Sequence, residues 1–192
     1  HFPRFDTPVY GDMIARFLRG DLGSMEQVNP YVVALLFAGD RAEAGPMLRR
    51  WLEEGKFVLL DRYVNSNIAF QCAKLDNPAE RNELREWILD TEFEKFGIPR
   101  PDLSLFLDVP FSFTEKKLTS ERVGEDREYL RGARDIHEES LDLQRRVRDV
   151  YLETAAADSS LKIINCSDAG GGMATPEDIF AMIDVMIRTL LN

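Results

Sequence analysis

VLLDRYVNSNIAFQ, from Val58 to Gln71, joins an apolar run to an aspartate, an arginine and a tyrosine, and then to a polar helix start. A strand that merely ends in solvent needs no Asp-Arg-Tyr cluster. A strand whose carboxyl end holds phosphate and metal does. Working outward, Phe57 to Leu60, Leu103 to Val109 and Leu161 to Asn165 are apolar without alternation. Such runs mark strands covered on both faces of a parallel sheet. Helical patterns separate them. Tyr31 to Glu54 is stopped by Gly55, Ala79 to Phe96 by Gly97, and Leu141 to Ala156 is rich in Arg and Glu. Thr175-Pro176-Glu177-Asp178 opens the last helix with a cap, a proline in the first turn and acids at the positive dipole end. This alternation predicts an α/β fold, a parallel sheet flanked by helices with right-handed crossovers. There are no internal repeats, low-complexity tracts or linkers, so residues 1–192 read as a single domain.

Composition bounds the function. A chain of 192 residues, 44% hydrophobic and 30% charged, can bury one substantial core. A net charge of -10 argues against a nucleic acid polymer as partner. A small anion stays compatible, because a few arginines can build a local positive pocket in an acidic protein. Cys72 and Cys166 have neither metal-ligand spacing nor a disulfide framework, which suits a reducing cytoplasm. The longest apolar run, Tyr31 to Ala38, is too short to span a bilayer, and no membrane association is expected. No signal peptide is visible, and the chain opens at His1.

In open α/β sheets ligands sit beyond the carboxyl ends of the strands. Asp61 and Arg62 follow the first apolar run directly, and Asp108 ends the second. Aspartate holds Mg²⁺, often through water, and arginine grips phosphate oxygens with a planar fork. The bland alternative is that Asp61 caps the next helix while Arg62 pairs with a surface acid. In LLFAGDR, Phe37 and Arg41 lie four residues apart on one helix face, where a ring and a guanidinium can stack a flat base and bond its edge. Taken alone, that pair reads more readily as a core phenylalanine beside a solvated arginine. Thr119 to Ser140 carries Arg122, Arg127, Arg131 and Arg134 with Gly124 and Gly132. The interleaved acids fit a solvated face, yet a glycine-punctuated arginine segment is also what a closing phosphate lid requires.

Together these stretches resemble the thymidylate kinase family of P-loop nucleoside monophosphate kinases. FPRF is similar to the family's FPR loop, LLFAGDR to its base-binding helix and DRYVNSNIAFQ to its DR(Y/H) motif. PDLSLFLDVP resembles its PDLTxxLDV strand, and DIHEESLDLQRRVRDVYLETA its helix after the lid. The resemblance implies a three-layer P-loop kinase fold, a lid at about 119–135, and phosphoryl transfer from ATP to dTMP in dTTP biosynthesis. It implies that Phe37 stacks on thymine, that Arg41 bonds the base edge, and that Asn67 also reads the base. Arg4 and Arg62 hold the monophosphate, with Phe5 and Ser66 among the substrate-binding residues. Asp61 and Glu138 belong to the Mg²⁺ and phosphate network. Arg122 and Arg127 act from the lid, Phe70 crowds the 2′ side of the sugar, and His137 stands beside the nucleoside. A cytoplasmic homodimer is implied as well.

The family opens with a strand and a GxxxxGK[ST] loop that cradles ATP phosphates, and no such motif occurs in the 192 residues. Removing that central strand would leave two sheet edges unpaired. The sequence is therefore expected to lack an N-terminal βα unit of roughly 30–40 residues, and to be inactive without it. Three alternatives stand beside this reading, of which a purely structural α/β module would explain the acidic surface but not the clustered arginines, leaving two. One is a P-loop kinase for another nucleoside or monophosphate, and the other a non-enzymatic nucleotide-binding relative that lost the loop.

Overall fold

The computed structural model describes residues 1–25, 27–119, 125–131, 135–136 and 140–191, with only the backbone of 119 and 125–127. The chain falls into two compact units, His1–Arg100 with Gly124–Val150, and Pro101–Val123 with Tyr151–Asn192.

The first unit is helical. Helices α1 (Tyr10–Leu18), α2 (Pro30–Glu53), α3 (Val64–Cys72) and α4 (Pro78–Leu89) follow in order, and α4 continues into a π-helical turn over Asp90–Lys95. The boundaries have local causes. Asn29 and Asn77 accept the backbone N–H of Tyr31 and Ala79 at 2.9 Å, each just before a proline in the first turn. Gly55 and Gly97 close the helical segments at φ 73° and 62°, a conformation that costs glycine nothing. Pro46 sits inside α2, which runs on through it. Ile14, Phe17 and Leu18 of α1 bury themselves against Val33 of α2. A close approach makes this packing feasible: a Cβ at Gly39 would collide with the Tyr10 ring. A second cluster joins Phe2 to Ala44 and Leu48, with Val58, Leu60 and Tyr63 packed on it.

The second unit holds the sheet. Strands β1 (Ser104–Asp108) and β2 (Leu161–Asn165) pair in parallel, in register from Ser104 with Leu161 to Asp108 with Asn165. Helix α5 (Phe111–Thr119) follows β1, and α7 (Pro176–Leu191) follows β2. Ile164, Cys166, Ala174 and Ile179 form the core, with Leu105 and Ile183 packed against them. Thr175 caps α7 by accepting the Asp178 N–H at 3.2 Å. Helix α6 (Leu141–Ala157) belongs to the first unit up to Val150 and to the second from Tyr151. Among the described residues no helix is long and apolar enough to cross a membrane.

One expectation is corrected. Phe57 to Leu60 forms no strand, and its backbone has no ladder partner among the described residues. Burial alternates instead: Val58 and Leu60 pack on α2, while Phe57 and Leu59 are 60% and 80% exposed. An apolar run becomes a strand only when a neighbour takes up its N–H and C=O groups.

Candidate active site

The first unit contains a small pocket that opens to solvent. The N-terminal loop contributes Phe2 and Pro3, joined by a cis peptide, and α2 contributes Phe37 and Arg41. Arg62 enters from the turn before α3, and α3 itself supplies Ser66, Asn67, Phe70 and Gln71. Spacing explains the set. Phe37 and Arg41 lie four apart on α2, as do Ser66 and Phe70 on α3, so each pair shares one face.

Charge inside this pocket is held by partners. The Arg41 guanidinium, 2% exposed, donates from Nε to Glu92 Oε2 at 2.5 Å and from Nη2 to Glu92 Oε1 at 2.7 Å. Its Nη1 makes no bond among the described residues. Glu92 is fully buried on the π-helical turn and also accepts from Asn67 Nδ2 at 2.9 Å. Asn67 Nδ2 donates in addition to the Ala34 carbonyl at 3.0 Å, and its buried Oδ1 has no partner among the described residues. Nearby, Tyr63 donates its hydroxyl to the Pro99 carbonyl at 2.9 Å, and burial pushes its phenol above the ordinary tyrosine value.

Arg62 is the strained member. At φ 61° it holds a left-handed backbone that non-glycine residues rarely adopt. Its guanidinium lies 5.3 Å from the Phe70 ring centroid and makes no ion pair or hydrogen bond among the described residues. Asp61 does not cap α3, whose first position has no side-chain cap bond, and Arg62 pairs with no surface acid among the described residues. Asp61 instead accepts a 3.0 Å contact from His1 Nδ1, with both side chains mostly exposed.

The remaining residues predicted from sequence fall into two groups. Arg4 and Phe5 lie on the loop beside the pocket. Arg4 donates from its backbone N–H and Nε to the two Asp40 carboxylate oxygens at 2.9 Å, and from Nη2 to the Asp40 carbonyl at 2.7 Å. Phe5 stacks on Tyr129 with centroids 3.8 Å apart. Arg122, His137 and Glu138 lie outside the described residues, as does the side chain of Arg127. Sequence reasoning missed Asp40, Glu92 and Gln71. Asp40 had a signal, because an acid beside Arg41 turns to a different side of α2. Glu92 had one as well, because it follows Leu84 and Ile88 at four-residue spacing, on the face that α4 buries.

The chain is similar to known proteins along most of its length. Residues 3–170 match the family profile described as thymidylate kinase. The chain is 35% identical over 156 residues to the thymidylate kinase of Mycobacterium tuberculosis, covering 81% of this chain and 70% of that one. It is 32% identical over 193 residues to a probable thymidylate kinase of Thermococcus kodakarensis, covering 97% of this chain and 80% of the relative. The solved structure of the Candida albicans thymidylate kinase superposes with a TM-score of 0.67 at 24% identity, over 98% of this chain and 77% of that one. That likeness carries the fold.

Proposed function

We infer, because this chain belongs to the thymidylate kinase family, that it transfers the terminal phosphoryl group of ATP to dTMP, giving dTDP for dTTP synthesis. The fold is that of a P-loop kinase, α/β with a parallel sheet. Phosphoryl transfer demands positioning and charge stabilisation more than covalent work by the protein. A phosphate oxygen of dTMP attacks the γ-phosphorus of ATP in line, and ADP leaves. The pocket of the first unit is the acceptor site in this reading. Phe37 stacks on thymine, Arg41 donates to a base carbonyl, and Asn67 reads the same edge. Phe70 closes the 2′ side of the sugar and Ser66 lines the same wall. Arg62 and Arg4 hold the monophosphate, with Phe5 beside them. Arg122 and Arg127 reach the transferred group from a lid at about 119–135, and His137 stands beside the nucleoside.

Mg²⁺ fits the donors present. It is usually bound by one or two carboxylates together with phosphate oxygens and water, and Asp61 offers a side chain that is 75% exposed. Asp61 and Glu138 would hold the ion in this reading, and Mg²⁺ would supply charge neutralisation for the meeting phosphates. Residues 1–192 belong to one nucleotide kinase domain that acts in the cytoplasm, and the protein pairs as a homodimer. Val32 and Leu35 on α2, 54% and 44% exposed, offer apolar surface for that pairing.

The observation that carries the reading is the buried Arg41–Asn67 pair in a pocket walled by Phe37 and Phe70. The test is ADP release with each nucleoside monophosphate at equal concentration. Preference for dTMP is expected, and preference for AMP, CMP or GMP refutes it.

A further inference from the structure

We infer that Glu92 is the positioning residue that decides which base edge the pocket accepts. Glu92 lies behind the pocket wall, bonded to Arg41 and Asn67, and its role rests on the acceptor-site reading above. A carboxylate can only accept hydrogen bonds, and so can a backbone carbonyl. Glu92 Oε1 and the Ala34 carbonyl stand 2.9 and 3.0 Å from Asn67 Nδ2 and take both of its protons. The reversed amide would set Asn67 Oδ1 against those two acceptors. Asn67 therefore has a single orientation, with Oδ1 as its unsatisfied atom, buried in a residue that is 3% exposed and lines the pocket.

The same carboxylate fixes Arg41. By engaging Nε and Nη2 it leaves Nη1 as the guanidinium nitrogen without a bond among the described residues. One carboxylate thus leaves a donor of Arg41 and an acceptor of Asn67 unengaged among the described residues. Their complement is a carbonyl next to a ring N–H, the imide edge of thymine or uracil. Cytosine carries an amine and a bare ring nitrogen there, and opposes both groups. Polar mismatch of this kind discriminates more strongly than shape, because the protein groups are left buried and unpaired.

The experiment measures binding of dTMP and dCMP by calorimetry, with kcat and KM for both, in wild type, Glu92→Gln, Glu92→Asp and Asn67→Ala. A glutamine at 92 can donate as well as accept, which frees the Asn67 amide to turn over. The ratio of dCMP to dTMP dissociation constants should fall roughly tenfold in Glu92→Gln, mainly through weaker dTMP binding. Glu92→Asp keeps two acceptor oxygens and should retain more of the wild-type ratio at equal or lower melting temperature. Asn67→Ala leaves the Arg41–Glu92 pair intact, and should lose discrimination even where the Glu92 variants fail to fold. An unchanged ratio in Asn67→Ala, or equal weakening of both nucleotides in Glu92→Gln, overturns the inference. A wild-type protein with no preference for dTMP overturns the acceptor-site reading itself, and is seen before any variant is made.

Discussion

Arg62 separates strain from function, and two substitutions at that one position measure both. At φ 61° its backbone costs a residue with a Cβ roughly 1–2 kcal/mol. Arg62→Ala keeps that cost and loses the contact with Phe70, worth about 0.5–1 kcal/mol at an exposed site. Arg62→Gly loses the same contact but relieves the strain. Glycine's extra freedom in the unfolded chain takes back roughly 0.4–1 kcal/mol. The glycine variant should therefore be the more stable of the two by about 1 kcal/mol. For a chain of this length that is a gap of roughly 2–4 °C in melting temperature. Activity should not follow stability. Both variants lose the guanidinium that holds the monophosphate, a loss of roughly 2–5 kcal/mol in kcat/KM, alike for every monophosphate tested. The assay pairs thermal melts with ADP-release kinetics. An alanine variant at least as stable as the glycine variant refutes the strained backbone. Near wild-type kcat/KM in either one refutes the phosphate role.

Asp61→Asn should leave the melting temperature within a few degrees, because an exposed pair such as Asp61 with His1 contributes about 0–1 kcal/mol. Turnover should drop far more than dTMP affinity by calorimetry, and a collapse in stability instead would make Asp61 a structural residue. Tyr63 gives a pH dependence: its phenol keeps its proton in the folded state at pH values where the unfolded chain loses it. The unfolded state then binds fewer protons, so this contribution is complete below about pH 10 and is lost as pH rises beyond it. Urea unfolding at pH 8.5 and 10.5 should show a smaller loss in Tyr63→Phe than in wild type, and equal losses would rule the group out.

Helix ends were the most legible part of the fold. Gly55, Gly97 and the Thr175 cap act through backbone conformation and local hydrogen bonds, which a sequence displays directly. Leu103 to Val109 and Leu161 to Asn165 contain β1 and β2, because each run finds its partner in the other. Phe57 to Leu60 has the same composition and no partner among the described residues, so composition alone misled. The pocket shows a similar divide. Phe37, Arg41, Arg62, Ser66, Asn67 and Phe70 could be named from motifs, and the structure gathers them around one cavity. Arg41 is clasped by Glu92, which stands on the π-helical turn four residues after the buried Ile88 and eight after the buried Leu84. What a helical reading of Ala79 to Phe96 does not supply is the partner, since nothing in the sequence joins Glu92 to Arg41, 51 residues away.

Asp40 and Arg41 are neighbours in sequence, yet each is clasped by a partner of opposite charge from a different part of the unit. Adjacent residues on a helix point about 100° apart, at a fixed rise of about 1.5 Å. Helix α2 therefore works as a gauge block. The loop that carries Arg4 and the turn that carries Glu92 are both referenced to one rigid rod, one residue apart. In the acceptor-site reading these are the phosphate end and the base end of the nucleotide, so their separation cannot drift independently. Inserting one residue in α2 ahead of Asp40 would swing both clasps together, and phosphate grip and base choice would be lost in the same step.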